Sequence, residues 1–165
     1  MKYILSILAL ATLLAIPPVQ AQQNAYTGRA VGDPQKLIYR IAGIRDTGDA
    51  SNVGVATTIH CTNFGPVAET VRYLLKRANG DVVANVSKTI DAGGTEAAST
   101  HFTAMVDEDG VLAPGVSINP GSAAIFATAP QKVICSAMIV DAASTAPQGI
   151  ALHMVRFNPI TNTEE

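Results

Sequence analysis

The chain has 165 residues, 48% of them hydrophobic, and 11 basic against 13 acidic residues give a formal net charge of −2. This length is sufficient for one domain with its own hydrophobic core. The basic residues are scattered and form no stripe of the kind that follows a phosphate backbone, so nucleic acid is excluded as an expected partner.

The first 21 residues have the features of a secretory signal peptide. Lys2 precedes an uncharged apolar stretch, Tyr3 to Ile16, and Val19-Gln20-Ala21 places small residues where a signal peptidase reads them. The stretch is shorter than the roughly 20 residues that span a bilayer, which favours cleavage after Ala21 over a membrane anchor. We therefore predict a periplasmic or extracellular protein with no membrane insertion after signal removal.

After the predicted signal peptide, residues 22–36 are polar, and we interpret them as a loosely ordered lead-in. From residue 37 to residue 158, short runs rich in Val, Ile and Thr alternate with turn residues, a pattern typical of β-strands. Residues 159–165 form a polar tail. The predicted strands cover residues 37–44, 53–61, 70–77, 82–90, 97–106, 123–128, 132–142 and 150–157.

Two pairs of these strands are close enough in sequence to form hairpins. Asn79-Gly80 tolerates the positive φ angles of a tight turn and predicts a hairpin of the strands on either side of it. A turn at Ala129-Pro130 predicts a second hairpin. About seven or eight strands with short links predict an all-β fold, an antiparallel β-sandwich, with a closed β-barrel as the alternative.

Of the two cysteines, Cys61 falls on the inward face of its predicted strand, and Cys135 lies in the middle of the predicted strand that looks most buried. Two cysteines of an exported protein usually pair, so we predict one buried disulfide bond between two strands, and a bridge across the sandwich is one such arrangement. The loop-entropy argument gives it about 4 kcal/mol. His60 and Cys61 are not expected to share a ligand, because adjacent residues of a strand point to opposite faces.

A metal-handling function of the copper type is the alternative hypothesis. His60, His153, Met154 and Met105 carry the imidazole and thioether groups that suit copper(I). The sequence contains no Met-x-x-Met or His-x-His cluster, which favours core packing for Met138 and Met154 and a solvated position for His153. We therefore assign no metal ligands and no cofactor.

Enzyme motifs are absent from the sequence. The acid–base candidates Glu69, Asp91, Glu96 and Asp141 lie near predicted strand ends, but no spacing singles out a catalytic pair. The DEDG segment at 107–110 lacks the ligand series of an EF-hand and predicts a solvated turn. The sequence thus predicts a non-enzymatic binding or structural module, and it does not identify the protein or small-molecule partner.

Several segments resemble a set of small exported bacterial proteins of unassigned function. They are GIRDTG, GVATTIHCTNFG, TVRYLLKRANGDVV, VICSAMIVDA and LHMVRFNP, and the resemblance extends over about residues 37 to 158. The order of strands and turns is also similar, more distantly, to the β-sandwich of the sensory rhodopsin transducer family. Both resemblances imply a β-sandwich and assign no activity and no functional residues.

Overall fold

The computed structural model describes residues 34–48, 51–106, 108–129, 132–146, 148–158, 160–161 and 163–164. The predicted signal peptide and most of the predicted lead-in lie outside the described residues. Within them the chain forms ten β-strands and no helix. The described residues accordingly contain no helix that is long and apolar enough to cross a membrane.

The ten strands form two five-stranded sheets that pack face to face. Sheet one has the order β10-β1-β7-β3-β4, and sheet two has the order β6-β5-β2-β8-β9. The described strands do not close into a barrel, so the predicted β-sandwich is confirmed. In chain order the strands are β1 Lys36–Asp46, β2 Val55–Asn63, β3 Glu69–Arg77, β4 Val82–Ile90, β5 Thr95–Ser99, β6 Gly110–Val111, β7 Ile118–Ala127, β8 Val133–Asp141, β9 Gly149–Ala151 and β10 Met154–Arg156.

The hydrophobic core lies between the two sheets and follows from the period-two alternation of the strands. Every second residue of β2 and β3 points inward, which buries Ile59 and Cys61 from one sheet and Val71, Tyr73 and Leu75 from the other. Burial of one large aliphatic side chain contributes about 1.5–3 kcal/mol to folding. The core is thus the main stabilising contribution to this fold.

The hairpin of β3 and β4 confirms the turn predicted at Asn79-Gly80. Gly80 has a φ of +89°, a conformation that side-chain-bearing residues rarely adopt. The Asn79 side chain supports the turn, because its Oδ1 accepts a hydrogen bond from the Asp81 N–H and its Nδ2 donates to Asp81 Oδ2. The bounds predicted for β4, residues 82–90, are those of the structure.

Two predicted connections are wrong, because the chain changes sheets where the sequence suggests continuity. The proposed second hairpin does not form: β7 already has β1 and β3 as neighbours in sheet one, and β8 joins β2 and β9 in sheet two. The single strand predicted at 150–157 is divided into β9 and β10, which belong to different sheets. The change occurs at Leu152, whose N–H donates to Ala137 O of sheet two, 2.9 Å away.

The strand predicted at 97–106 ends at Ser99. Its continuation is interrupted by side chains that bind the backbone. Thr100 Oγ1 accepts a hydrogen bond from the Thr57 N–H, and Ser99 Oγ donates to the carbonyl oxygen of His101. The chain therefore leaves the ladder at residue 100 and carries the His101 side chain into the interior.

Candidate functional site

The outer face of sheet one, turned away from the core, carries a second apolar cluster beneath two arginines. The Arg40 guanidinium carbon lies 4.8 Å from the centre of the Phe157 ring, and that of Arg72 lies 4.3 Å from the centre of the Phe126 ring. Such cation–π contacts contribute about 0.5–1 kcal/mol each at exposed sites. The face is therefore apolar in depth and cationic at its surface. The buried members of the cluster are Leu37, Leu74, Phe126 and Phe157.

A groove of about 320 Å³ lies on this face. Its floor is low because small side chains follow one another on the central strands. Ala42 of β1 pairs with Ser122 of β7, and Ala124 lies two residues further along the same side of β7. The larger side chains of Arg40 and Leu74 flank this row, since both pair with Ala124.

Apart from Ser122, the polar side chains that line the groove are basic. Arg40, Lys76 and His153 line it, and none of its ten lining residues among those described is Asp or Glu. We call this feature the basic groove. A site with an apolar floor and cationic side chains at its rim suits a ligand that has an apolar body and a negatively charged head.

A second cavity, of about 300 Å³, opens where β4 of sheet one meets β5 of sheet two. Its charged lining residues are Lys88, Asp91, Glu96 and Asp109. Glu96 pairs with the core residue Cys61, so its side chain lies on the inner face of sheet two. Glu96 is 4% exposed, and neither carboxyl oxygen has a hydrogen-bond partner among the described residues.

The environment of Glu96 favours its protonated form. Burial raises the pKa of the Glu96 carboxyl from its ordinary value of 4.5 to about 7; the Lys88 ammonium opposes this rise and the Asp109 carboxylate adds to it. The fully buried Tyr73 hydroxyl also has no hydrogen-bond partner among the described residues. Burial raises the pKa of this phenol, and the Glu96 and Asp109 carboxylates raise it further.

Asp109 connects the two strands that border this cavity. Its N–H donates to Ala97 O, and its Oδ2 accepts from the Ala97 N–H, both at 2.8 Å. Lys88 Nζ, from β4, donates to Asp109 O at 3.1 Å. The DEDG segment is thus more than the solvated turn we predicted: Asp109 is exposed, yet it links sheet one to sheet two. Asp107 of this segment lies outside the described residues.

The predicted disulfide bond between Cys61 and Cys135 is confirmed. The two cysteines are directly opposite each other on β2 and β8, and their Cα atoms are 4.1 Å apart. That separation is typical of a non-hydrogen-bonded antiparallel pair, where Cα atoms lie about 4.5 Å apart. The bridge therefore joins neighbouring strands within sheet two, and the arrangement across the sandwich is wrong.

The structure separates the two histidines of the copper hypothesis. His153 lies between β9 and β10 and lines the basic groove on sheet one. His60 lies on the outer face of sheet two, because its neighbour Cys61 faces the core. His60 Nε2 is buried without a hydrogen-bond partner among the described residues.

The methionines of the same hypothesis are also dispersed. Met154 packs against the main core, whereas Met105 and Met138 pack against an apolar cluster that contains Ala56. Met138 pairs with Thr58 of β2, and its sulfur lies beside Gly149 of β9. Within the described part of the chain, no three His, Cys, Asp or Glu residues are grouped so that they could hold a metal ion.

The four predicted acid–base candidates occupy three separate places. Glu69 Oε1 accepts hydrogen bonds from the Thr128 hydroxyl and the Ala129 N–H. Asp141 Oδ1 accepts from the Ala143 N–H at 3.0 Å. Glu69 therefore connects the start of β3 to the residues that follow β7, and Asp141 stabilises its local turn. Asp91 and Glu96 share the second cavity.

Sequence reasoning missed a buried Asp–His pair. His101 Nδ1 lies 2.9 Å from Asp46 Oδ2, and His101 Nε2 lies 3.0 Å from Val53 O. Asp46 Oδ1 also accepts a hydrogen bond from the Gly48 N–H at 2.6 Å. The Asp-x-Gly turn at residues 46–48 was a signal for this last bond, but no local pattern links residue 46 to residue 101.

No family model matches the chain, and comparison with curated proteins and with solved structures also finds no match. The resemblances to small exported bacterial proteins and to the sensory rhodopsin transducer family therefore stay predictions. Any function has to be argued from the geometry of the basic groove and of the second cavity.

Proposed function

We propose that the protein is an exported, non-enzymatic binding module that takes up an amphipathic anion in the basic groove. The observation that carries this proposal is the combination of a floor of small side chains, Ala42 and Ala124 among them, with the flanking Leu74 and the cationic side chains of Arg40 and Lys76. The ligand would have a linear or flat apolar body and one carboxylate, sulfonate or phosphate head.

Two features support a location outside the cytoplasm, in the periplasm or beyond it. The first is the signal peptide predicted over residues 1–21. The second is the disulfide bond between Cys61 and Cys135, since such bonds form and persist mainly in oxidising compartments. An exported binding module can meet small amphipathic anions there without competition from the cytoplasmic pool.

The energetics of such a ligand follow from the two parts of the groove. Apolar area removed from water contributes about 25 cal/mol per Å², so the apolar body of the ligand gains affinity from the area that it buries against the floor. A guanidinium group such as that of Arg40 binds a carboxylate with charge-assisted hydrogen bonds, which orient the head. The Lys76 ammonium adds attraction that salt reduces.

Octanoate is a suitable probe, with octanol as its uncharged control. We expect calorimetric titration of the full mature chain to show saturable octanoate binding that weakens with added salt, and much weaker binding of octanol. Lys76→Glu should raise the octanoate dissociation constant about tenfold, because an attraction at the head becomes a repulsion. Lys132→Glu makes the same charge change at an exposed residue that does not line the groove and should leave binding unchanged.

The proposal is wrong if octanoate does not bind, or if Lys76→Glu and Lys132→Glu weaken binding equally. Equal weakening would indicate a general effect of net charge and no site in the groove. We do not favour the alternative of a copper-type carrier, because His60 and His153 lie on different sheets. Titration with copper(I) under the same conditions separates the two hypotheses.

A further inference from the structure

The four outermost strands of the two sheets differ greatly in length. Strand β6 has two residues, and β9 and β10 have three each, whereas β4 has nine. Natural sheets protect their edges with short strands, bulges, prolines or charged side chains, because an open edge pairs readily with another strand. Three edges of this sandwich follow the first rule and one does not.

Strand β4 has few of the other protective features, namely one register shift and one inward-turned charged side chain. It contains no proline, and its one register shift lies next to the turn, where Lys76 pairs with Val82. Its one charged side chain, Lys88, is turned toward sheet two and donates to Asp109 O. Apart from the ladder to β3, no backbone hydrogen bond is found for residues 82–89 within the described chain.

We propose that β4 is a dimerisation edge, at which a second copy of this chain adds its own β4 in antiparallel orientation. The interface would have two-fold symmetry, so that the same nine residues are used by both copies. Sheet one of each copy would then continue into sheet one of the other. The argument for a second copy as occupant is the self-complementarity of the β4 sequence.

The register of this pairing is fixed by geometry. Residues directly opposite each other in an antiparallel pair lie on the same face, so a two-fold axis normal to the sheet has to pass between one residue and the same residue of the partner. An axis at Val86, the middle residue of 82–90, pairs all nine residues. An axis at Lys88 would set that ammonium against itself and shorten the overlap.

The pairs formed about Val86 are mutually compatible. Val86 meets the partner's Val86 on the inner face, a pair of β-branched side chains of the type that stabilises sheets. On the outer face Asn85 meets the partner's Ser87, an amide opposite a hydroxyl, and both side chains are exposed. Lys88 meets the partner's Ala84, so no like charges are opposed.

The test is a pair of double variants that differ at one position. In N85D/S87D, an aspartate at position 85 faces an aspartate at position 87 of the partner, twice by symmetry. In N85K/S87D, a lysine replaces the first aspartate, and both contacts become attractive. Asn85 and Ser87 are exposed, but Arg72 Nη1 donates to Asn85 Oδ1 at 3.3 Å and Arg72 pairs with position 87. The N85K/S87D variant loses this hydrogen bond, so the stability of each variant has to be compared with that of the wild type.

Sedimentation of the oxidised mature chain over a hundredfold range of concentration measures the outcome, and urea unfolding checks that the variants are folded. We expect a reversible wild-type dimer, a monomer for N85D/S87D and a dimer for N85K/S87D. The two variants should differ roughly thirtyfold or more in dissociation constant, since two charge pairs change sign. A wild type that stays monomeric, or two variants that dimerise equally, overturns the proposal.

Discussion

Strand β5 has a buried ionisable group at each end, and the two are treated very differently by the fold. Beyond its last residue, His101 has both ring nitrogens within 3.0 Å of an acceptor, Asp46 Oδ2 and Val53 O. Near its first residue, Glu96 is buried to a similar extent but neither carboxyl oxygen has a partner among the described residues. We call these the satisfied end and the unsatisfied end of β5.

The difference shows how a buried polar group can either stabilise or weaken the same sandwich. At the satisfied end, the His101 ring contacts Asp46, the last residue of β1, and Val53, in the segment between β1 and β2. The ring therefore connects both of these places to the segment that follows β5. A paired and fully hydrogen-bonded group offsets its desolvation cost and fixes one arrangement of these segments. At the unsatisfied end, Glu96 retains the desolvation cost and avoids part of it by keeping its proton.

The largest effect is expected from breaking the satisfied end. His101→Ala should lower the free energy of unfolding by about 3–5 kcal/mol, because it leaves the Asp46 carboxyl, whose side chain is 0% exposed, without its ring partner. Urea unfolding at neutral pH measures this change. The transition should stay cooperative while its midpoint falls.

A double-mutant cycle with Asp46→Asn controls for the loss of packing. If the pair stabilises as a unit, the double variant should be less destabilised than the sum of the two single variants. Additive effects would contradict the interpretation, because they would mean that His101 contributes through its volume alone.

The unsatisfied end should respond in the opposite direction and depend on pH. The folded-state pKa of Glu96, about 7, is above its ordinary value of 4.5. Protonated Glu96 therefore contributes to the free energy of unfolding in a way that depends on pH. This contribution is fully present below pH 4.5 and is lost as the pH rises through 7. Glu96→Gln removes this loss, so at pH 8 the variant should be more stable than the wild type by about 3 kcal/mol.

Urea unfolding of Glu96→Gln and wild type from pH 4 to pH 8 measures this prediction. The two proteins should have similar stability at pH 4 and diverge as the pH rises. Asp91→Asn is the matched control, since Asp91 lines the same cavity but is exposed. A stability difference between wild type and Glu96→Gln that does not change with pH would contradict a raised pKa.

The sequence predicted β1 to β4 and β8 to within two residues of their bounds, because alternation is a local property, whereas β7 begins at Ile118, five residues before its predicted start. The pattern from Val82 to Ile90 gives β4 its bounds, and the presence of two cysteines, Cys61 and Cys135, in a chain predicted to be exported gives the disulfide bond. Alternation does not depend on which sheet a strand joins, so the separation of β7 from β8 and of β9 from β10 could not be read from it. Sheet membership is set by long-range packing.

The same reason limits what the sequence could say about the candidate sites. The basic groove needs Ala42 and Ser122 side by side, a neighbourhood created by the pairing of β1 with β7. Glu96 did carry a signal, since it shares the phase of the buried Ala98 on β5. Its burial was not predicted because position 96 precedes the strand predicted at 97–106, and a charged residue there is usually assigned to solvent.

The smallest effect is expected from Tyr73, which lies opposite the unsatisfied end of β5 on sheet one. Its ring fills the core, while its hydroxyl is buried without a partner among the described residues. Removing an unpartnered hydroxyl removes its desolvation cost, so Tyr73→Phe should stabilise the fold by about 1 kcal/mol or leave it unchanged. Because the phenol is neutral throughout, this change should not depend on pH between 4 and 8. A loss of stability in urea unfolding would contradict this prediction. If Tyr73→Phe lowered the stability of the wild type but not that of the Glu96→Gln variant, the hydroxyl and the carboxyl would stabilise each other.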